Sequence, residues 1–595
     1  MWANDSWSLY RILIYVTSSN GQKKIGHFTR TLIKYLFEKI TGIKLSKKSD
    51  LEIWMGKNYP DTKKLKEHQI ELRNYSFQPK ISIIFNVTDF SVKFLRQSIT
   101  SLSEQVYQNW ELCISANQHL EEELTEILNE FSENTGKTNV YFSGSAFEKA
   151  TGTYIALAEV EAAFAPDALF QCIRALNVNP AIDLLYSDED QVDDAGTHSN
   201  FKFKPDWCPD SFLSGNYLGH LVLVRKVLLD EIESKINFES DHEYDLLLRL
   251  TEKSKVIHHI PELLYHRRMK PNPASFLLEK KALEEALTRR GIKGKVSFVA
   301  GMMGLYQIRY EILKNDKVSI IIPTKDKSEL CETLLSSLYN LTDYPDYEVI
   351  LVNNNSTEKS FFDLVSRWEN KEPQRFKCIT DDSLFNFSRL VNKGAQAAAG
   401  DYLLLLNNDT EVIHADWLSA MVEQAQFRST GAVGARLLFH NDTIQHAGII
   451  IGLGGIACHT FVGADKDEPG YWGCLKSIAN YSAVTAACLM VRKETYWEVG
   501  GFDEQFSVEF NDVDFCLKLK EKGYNNIYLP HVTLYHYESL SRGHTHKRRK
   551  THQKHLLDKG LFQKRWKKYI DHDPCYSPHL SSVFSDFRLN INDYI

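Results

Sequence analysis

Val318-Ser319-Ile320-Ile321-Ile322-Pro323-Thr324 and, further on, Gly400-Asp401-Tyr402-Leu403-Leu404-Leu405-Leu406-Asn407-Asn408-Asp409 are continuous apolar runs of strand length that stop abruptly in polar residues. A run apolar on both faces reads as a strand buried on both sides. Around them, Ser328–Leu341 places Leu330, Leu334, Leu335 and Leu338 at helical spacing, and Tyr347–Asn353 is another apolar strand. Phe385–Ala399 and Trp417–Gln426 read as helices. Strands that alternate with helices predict an α/β fold with a mainly parallel, Rossmann-like sheet covered on both faces. In such sheets ligands bind beyond the carboxyl ends of the strands.

The pattern occurs twice. Ile81-Ser82-Ile83-Ile84-Phe85 matches Val318–Ile322, and Tyr107-Gln108-Asn109-Trp110-Glu111-Leu112 matches Tyr344–Val349. Gly152-Thr153-Tyr154-Ile155-Ala156-Leu157 matches Gly400–Leu405, Glu243-Tyr244-Asp245-Leu246 matches Asp512–Phe515, and Leu264-Tyr265-His266 matches Leu534–His536. The order is kept while the offset grows, so these are two diverged copies of one domain, not a solenoid. The expected organisation is an N-terminal extension (1–78), a first α/β domain (79–300), a second (316–543) and a basic helical tail (544–595).

Composition narrows the class. The 595 residues are 43% hydrophobic and 25% charged, ordinary for a globular chain. Ten cysteines with no CxxC pair offer neither a disulfide framework nor a zinc spacing. No apolar run approaches the roughly 20 residues of a spanning helix, and the first residues lack a signal-peptide layout; a cytoplasmic chain is expected. The formal net charge is −7, which does not suggest nucleic acid as a partner. Gly452–Ala457 fits GxGxxG/A formally but lies far from the first strand and opens no helix, so a dinucleotide fingerprint is rejected.

The strand ends of the second copy carry Thr324-Lys325-Asp326, Asn353-Asn354-Asn355-Ser356 and Asn407-Asn408-Asp409. Any one of them could merely cap a turn; three converging on one sheet edge point to a ligand. A strand-end carboxylate such as Asp409 can hold a divalent cation. Asp512 and Asp514 open a helix over Asn511–Lys522, where they could serve the helix dipole alone. His536 closes a strand and could be a packed core residue.

The ordered set VSIIIPTKD, VNNNS, GDYLLLLNNDTEV, TIQHAG, NYSAVTAACLMVRK, GGFDE, FNDVDFCLKLKEKGY and LYHYES resembles bacterial family-2 glycosyltransferases, nearest the rhamnosyltransferase-like branch that builds O-antigen and related cell-surface polysaccharides. The resemblance spans about residues 80–268 and 316–543. It implies two tandem GT-A domains, a dTDP- or UDP-sugar donor, a divalent metal (Mg²⁺ or Mn²⁺) and an inverting displacement. It also implies roles: Asp409 as metal ligand, His536 as a second metal or diphosphate ligand, and Asp512 as general base. Thr324, Asp326, Asn353, Asn355, Arg389 and Asn392 fall on positions that line the nucleotide. Asn407 and Asn408 join them, Asn407 standing where the family's triad begins with Asp. Asn353 stands where the family often has Asp.

At the equivalent positions the first copy has Glu159, Glu161, Glu243 and His266, each acid one methylene longer than the family's Asp. A displacement of about 1 Å can cost about 10²-fold in rate, so this copy is expected to be weakened or to hold the acceptor. A bifunctional enzyme and a glycan- or nucleotide-binding module without turnover remain the alternatives. The basic stretch Arg542–Lys568, with Leu556-Leu557, Leu561-Phe562 and Trp566 at helical spacing, reads either as a helix packed on the domain or as a peripheral contact with anionic lipid. The run Phe28–Lys48 permits the same two readings. Membrane contact would suit a lipid-linked oligosaccharide acceptor; a polysaccharide held between the halves is the other.

Overall fold

The computed structural model describes residues 50–591, apart from 88–89, 117–119, 121, 123, 130–137, 142–145, 233–242, 269–272 and 538–548. The helix expected over Phe28–Lys48 and the start of the basic stretch lie outside the described residues.

Each apolar run becomes a strand, because burial of both faces outweighs the cost of ordering it only when layers cover it on two sides. The first sheet contains β1 (Ile81–Val87), β2 (Trp110–Ala116), β3 (Thr138–Tyr141), β4 (Tyr154–Leu157), β5 (Ala163–Phe164), β6 (Leu184–Val192), β7 (His198–Lys202), β8 (Val222–Arg225) and β9 (Ile257–Arg267). A hairpin, β10 (Gly294–Val299) and β11 (Met302–Tyr310), follows. The second sheet begins with β12 (Val318–Thr324), β13 (Tyr347–Asn353), β14 (Phe376–Thr380), β15 (Tyr402–Leu406), β16 (Thr410–Val412), β17 (Thr430–Leu438) and β18 (Ile444–His446). After the small hairpin β19 (Ile449–Ile451) and β20 (Ala457–His459), it is completed by β21 (Ala479–Tyr481), β22 (Cys488–Arg492) and β23 (Asn525–His536). The residues that mimic a dinucleotide fingerprint form the tip of that hairpin.

The strand orders are β3-β2-β1-β4-β8-β6-β9-β5 and β14-β13-β12-β15-β22-β17-β23-β16, identical position for position. Four strands on one side of each sheet are parallel. Beyond them the pairing is mixed, because β8 and β22 run antiparallel to both of their neighbours.

A shared clasp explains the GxY repeat. Ser82 donates to Glu111 at 2.6 Å and accepts the Gly152 N–H at 2.8 Å. Ser319, Glu348 and Gly400 repeat this at 2.7 and 2.8 Å. A Cβ at Gly152 would lie 2.6 Å from the Ser82 nitrogen, and one at Gly400 would lie 2.5 Å from the Lys317 carbonyl oxygen, so close approach demands glycine at both.

The halves are knit together. Arg309 on β11 donates to Glu423 at 2.8 and 2.7 Å and to Asp416 at 2.7 Å. Among the described residues the tail is helical over Arg549–Arg565 and Lys567–Asp571 alone. Beyond that it corrects the expectation of a helix: Pro574 and Pro578 cannot continue one, and the chain becomes a strap across both halves. Asp573 accepts from Ser482 at 2.5 Å and the Ile451 N–H at 2.6 Å, while the Pro574 carbonyl accepts the Asp206 N–H at 2.8 Å. Phe562 and Trp566 are buried in the second half's core, where Trp566 and Arg565 donate to buried Asp514 at 2.9 and 2.7 Å. Among the described residues no helix is long and apolar enough to cross a membrane.

Candidate active site

β15 is wholly buried and ends at Leu406, so Asn407-Asn408-Asp409 emerges on the sheet's rim. β16 then pairs Thr410 with His536 at the end of β23, which brings the imidazole beside the triad. Asp409 Oδ1 and His536 Nε2 are 3.1 Å apart, both side chains buried. His536 Nδ1 lies 2.9 Å from Gln445 Oε1, and Asn407 Nδ2 donates to Nε2 at 3.2 Å. With Nδ1–H donating to Gln445, the single Nε2 lone pair lies between the Asn407 amide and the Asp409 carboxylate oxygen. Two acceptors at that distance are bridged by a proton or by a cation. A carboxylate oxygen and an imidazole nitrogen whose other nitrogen is held by an amide fit a divalent metal such as Mn²⁺ or Mg²⁺.

Asp512 opens the helix Asn511–Glu521 and is half-buried. Its Oδ2 accepts the Ala486 N–H at 3.1 Å and its Oδ1 accepts the Val513 N–H at 2.9 Å. The preceding Phe510 has φ 61°, a strained value for an aromatic residue, and that turn sets where the helix starts. Asn407, Asp512 and His536 line one cleft of about 340 Å³, together with Gln445, His459 and Ala487. The volume lies within the roughly 300–1,000 Å³ of small-molecule sites. Behind the wall His446 is fully buried; burial first, then neighbouring His459 and His536, hold its pKa well below the usual range, so it stays neutral. Its Nδ1 is 3.2 Å from that of His459.

The other strand ends form a connected rim. Asn408 donates to Thr324 at 2.9 Å. Asp326, at φ 51°, accepts the N–H groups of Thr357 and Glu358 at 2.7 and 2.8 Å. Asn353 accepts from the Ser356 N–H at 3.1 Å, and Asn355, at φ 57°, donates to the Ser383 carbonyl at 2.9 Å. Arg389 donates to the Leu384 carbonyl at this rim. Asn392 is different. It is buried, donates to the Phe502 carbonyl at 2.9 Å, and accepts from the Phe502 N–H at 3.0 Å and Tyr496 at 2.6 Å. Its polar atoms thus bind Tyr496, Phe502 and Glu504 around the Gly500–Asp503 turn.

Of the first-half residues, the structure joins Glu159 to Glu243 through His220, which lies 3.5 and 3.6 Å from them. Glu161 instead accepts the Ser91 N–H at 2.7 Å, and His266 faces Asp190 at 2.7 Å. Sequence reasoning assigned no role to Gln445, His459 or the Thr485–Ala487 wall; the motifs TIQHAG and NYSAVTAACLMVRK were the available signal.

Residues 319–448 match the family described as Glycosyl transferase family 2. This half carries a family-2 glycosyltransferase domain. The matched segment holds Asp409, Gln445 and His446, while Asp512 and His536 complete the cleft from beyond it. The chain is 35% identical over 537 residues to the uncharacterized protein y4gI of Sinorhizobium fredii, covering 86% of this chain and 59% of that protein. It is 35% identical over 538 residues to the O-antigen biosynthesis protein RfbC of Myxococcus xanthus, covering 86% and 41%. The chain thus spans about half the length of these relatives. Among solved structures, the mannosyltransferase PcManGT from Pyrobaculum calidifontis in complex with GDP-Man and Mn²⁺ aligns with 44% of this chain and 70% of its own, at 18% identity and a TM-score of 0.33.

Proposed function

We propose that the chain is an inverting, metal-dependent glycosyltransferase whose second half moves a sugar from a nucleoside-diphosphate donor onto a growing cell-surface polysaccharide. dTDP-rhamnose is the first choice of donor and a lipid-linked oligosaccharide or polysaccharide the acceptor, with the first half no longer the main catalyst. The observation that carries this reading is the cleft that His536 and Asp512 line together, with buried Asp409 in contact with His536 at 3.1 Å.

A sugar hydroxyl is a weak nucleophile near neutral pH. The Asp512 carboxylate, oriented by the Ala486 N–H, takes its proton as the oxygen bonds to the anomeric carbon and the donor C–O bond breaks, its electron pair leaving with the diphosphate. A single displacement with one proton acceptor inverts that carbon. Asp409 and His536 would hold the Mg²⁺ or Mn²⁺, which when bound neutralises charge developing on the leaving diphosphate. Thr324, Asp326, Asn353, Asn355 and Arg389, with Asn407 and Asn408, form the side of the site assigned to the nucleotide. The name of the Myxococcus relative supports a polysaccharide product. Exposed Leu556 and Leu557 in a basic helix support peripheral contact at the cytoplasmic face of a membrane.

The test is nucleoside-diphosphate release from dTDP- and UDP-sugars, with Mg²⁺ or Mn²⁺ and with EDTA. Release should need metal and disappear in Asp512→Asn; release indifferent to both would overturn the assignment.

A further inference from the structure

The two sheets make positions in the halves comparable. Leu157 pairs with Val222 as Leu405 pairs with Leu489, so His220 stands where Ala487 walls the second cleft. By the same register Glu159 and Glu161 correspond to Asn407 and Asp409.

In the first half Glu161 and His266 no longer face each other as Asp409 and His536 do; His266 instead joins Asp190 and His198, whose ligand atoms lie within 4.8 Å of one another. Glu161 is turned to the Ser91 N–H at 2.7 Å. His266 keeps an acceptor on Nδ1, Asp190 at 2.7 Å, as His536 keeps Gln445, but its Nε2 meets the hydroxyl of Tyr59 from the N-terminal extension at 3.1 Å. A guanidinium has entered instead: Arg267 grips Glu159 through Nε at 2.9 Å and Nη2 at 2.8 Å. In the second half the next residue after the histidine is Tyr537, which turns to Glu411.

Charge follows the same exchange. The second cleft is lined by Glu509 and Asp512 with His459 and His536, Asp409 lies against His536, and no Lys or Arg is among the described lining residues; here Glu159 and Glu243 gather around His220 and a fixed guanidinium. Glu189 beneath them is matched by buried Lys204 at 3.2 Å. One half must recruit a positive charge, whereas the other has one built in. The side chains of Glu159, Glu243 and Arg267 are 37%, 31% and 21% exposed, so a ligand can reach them. Nε and Nη2 of Arg267 are spent on Glu159; the Nη1 edge remains to donate, and a guanidinium fork matches phosphate oxygens.

We propose that the first half keeps a binding centre for a nucleoside diphosphate in which Arg267, held by Glu159 and flanked by His220, takes the place of the divalent cation. This rests on the second half being a donor site of the same layout, and it assigns binding, not turnover, to the first.

Calorimetric titration of the full chain with UDP and dTDP, in EDTA and in Mn²⁺, tests it. The expected stoichiometry is one nucleotide per chain in EDTA and two in Mn²⁺. Arg267→Gln should weaken the EDTA-resistant site at least about tenfold, the loss of one charge-assisted hydrogen bond, and leave the Mn²⁺-dependent site as proof of folding. Arg267→Lys should recover part of the affinity, and Asp409→Asn should remove only the Mn²⁺-dependent site. Absence of EDTA-resistant binding, its persistence in Arg267→Gln, or its loss in Asp409→Asn would each overturn the proposal. An EDTA-resistant site without a Mn²⁺-dependent one would instead sink the reading of the second half and leave this one standing.

Discussion

Gln445 is the residue through which the metal reading can be pressed hardest, because it touches His536 on the side away from the cleft's chemistry. Its Oε1 lies 2.9 Å from His536 Nδ1 and the side chain is buried. Gln445→Leu keeps the bulk but leaves a buried ring N–H with no acceptor, at a cost of about 1–3 kcal/mol. The imidazole can relieve that cost by moving its proton to Nε2, which removes the lone pair offered toward Asp409. Loss of such an outer partner typically weakens metal binding about 10–100-fold, or about 1.4–2.7 kcal/mol. Gln445→Glu should do the opposite, since a carboxylate fixes the proton on Nδ1, the arrangement Asp190 imposes on His266 at 2.7 Å. The assay is the Mn²⁺ concentration giving half-maximal nucleoside-diphosphate release at saturating donor, with Mn²⁺ binding followed in parallel by paramagnetic resonance. Gln445→Leu should raise that concentration about 10–100-fold and Gln445→Glu should not raise it. Equal Mn²⁺ dependence in both variants and the parent would refute His536 as a ligand.

Four further outcomes are expected. Asp512→Asn should lower the rate of release about 10²–10⁴-fold, the range for a general base, while UDP affinity in Mn²⁺ is unchanged by calorimetry. Arg309→Ala strands the largely buried Glu423 at the junction of the halves and should cost about 1–3 kcal/mol, read as a lower urea midpoint. Burial alone would raise the pKa of Glu111, but the Lys80 ammonium, the Ser82 hydroxyl and the Thr151 backbone outweigh it and pull it from 4.5 down to about 2. A folded pKa below the unfolded one stabilises fully above about 4.5 and fades as pH falls toward about 2, so Glu111→Gln should destabilise at pH 7 and make little difference near pH 2 in pH-dependent urea melts. Replacing Leu556 and Leu557, which are 52% and 73% exposed, by serine should reduce co-flotation with vesicles containing anionic lipid and leave release from soluble donor unchanged.

The fold was legible wherever burial on both faces wrote itself into the sequence. Val318–Thr324 and Tyr347–Asn353 were bounded to the residue, because a two-sided core admits a polar side chain only where another satisfies it, as Ser319 and Glu348 satisfy each other, until the strand ends. The antiparallel β22 was not distinguishable from its parallel neighbours, since Cys488–Arg492 is as buried as they are and direction leaves no mark on composition. The candidate site was legible in part. Asp409, Asp512 and His536 were named through resemblance, and the first and last come together only because β16 pairs with β23 across 127 positions of chain. Gln445 and His459 lie on three-residue strands, β18 and β20, too short to show a periodicity, so nothing local announced that they face the cleft. The strap was missed for a similar reason: Asp573, Pro574 and His579 find their partners as far away as Asp206 and Pro261, and long-range contacts made by single polar atoms carry no spacing to read.

The divergence of the halves is easier to understand as a change of pairs than of single residues. A glutamate at Glu159 without Arg267 would add a carboxylate beside Glu243 and Glu189, raising the repulsion among them. A guanidinium at Arg267 facing an asparagine would sit partly buried without a counter-charge, which costs more than either exchange returns. Together they form a bidentate pair of 2.8 and 2.9 Å that needs nothing from solution. The longer glutamate has a geometric reason: the guanidinium comes from β9, and the extra methylene lets the carboxylate meet it there. In the second half Asn407 is neutral and short, leaving Asp409 and His536 to face each other across the space a cation fits. On the proposed reading, the same strand order would meet the charge of a diphosphate in two ways, with an ion held by Asp409 and His536 in one half and with the Arg267 guanidinium in the other.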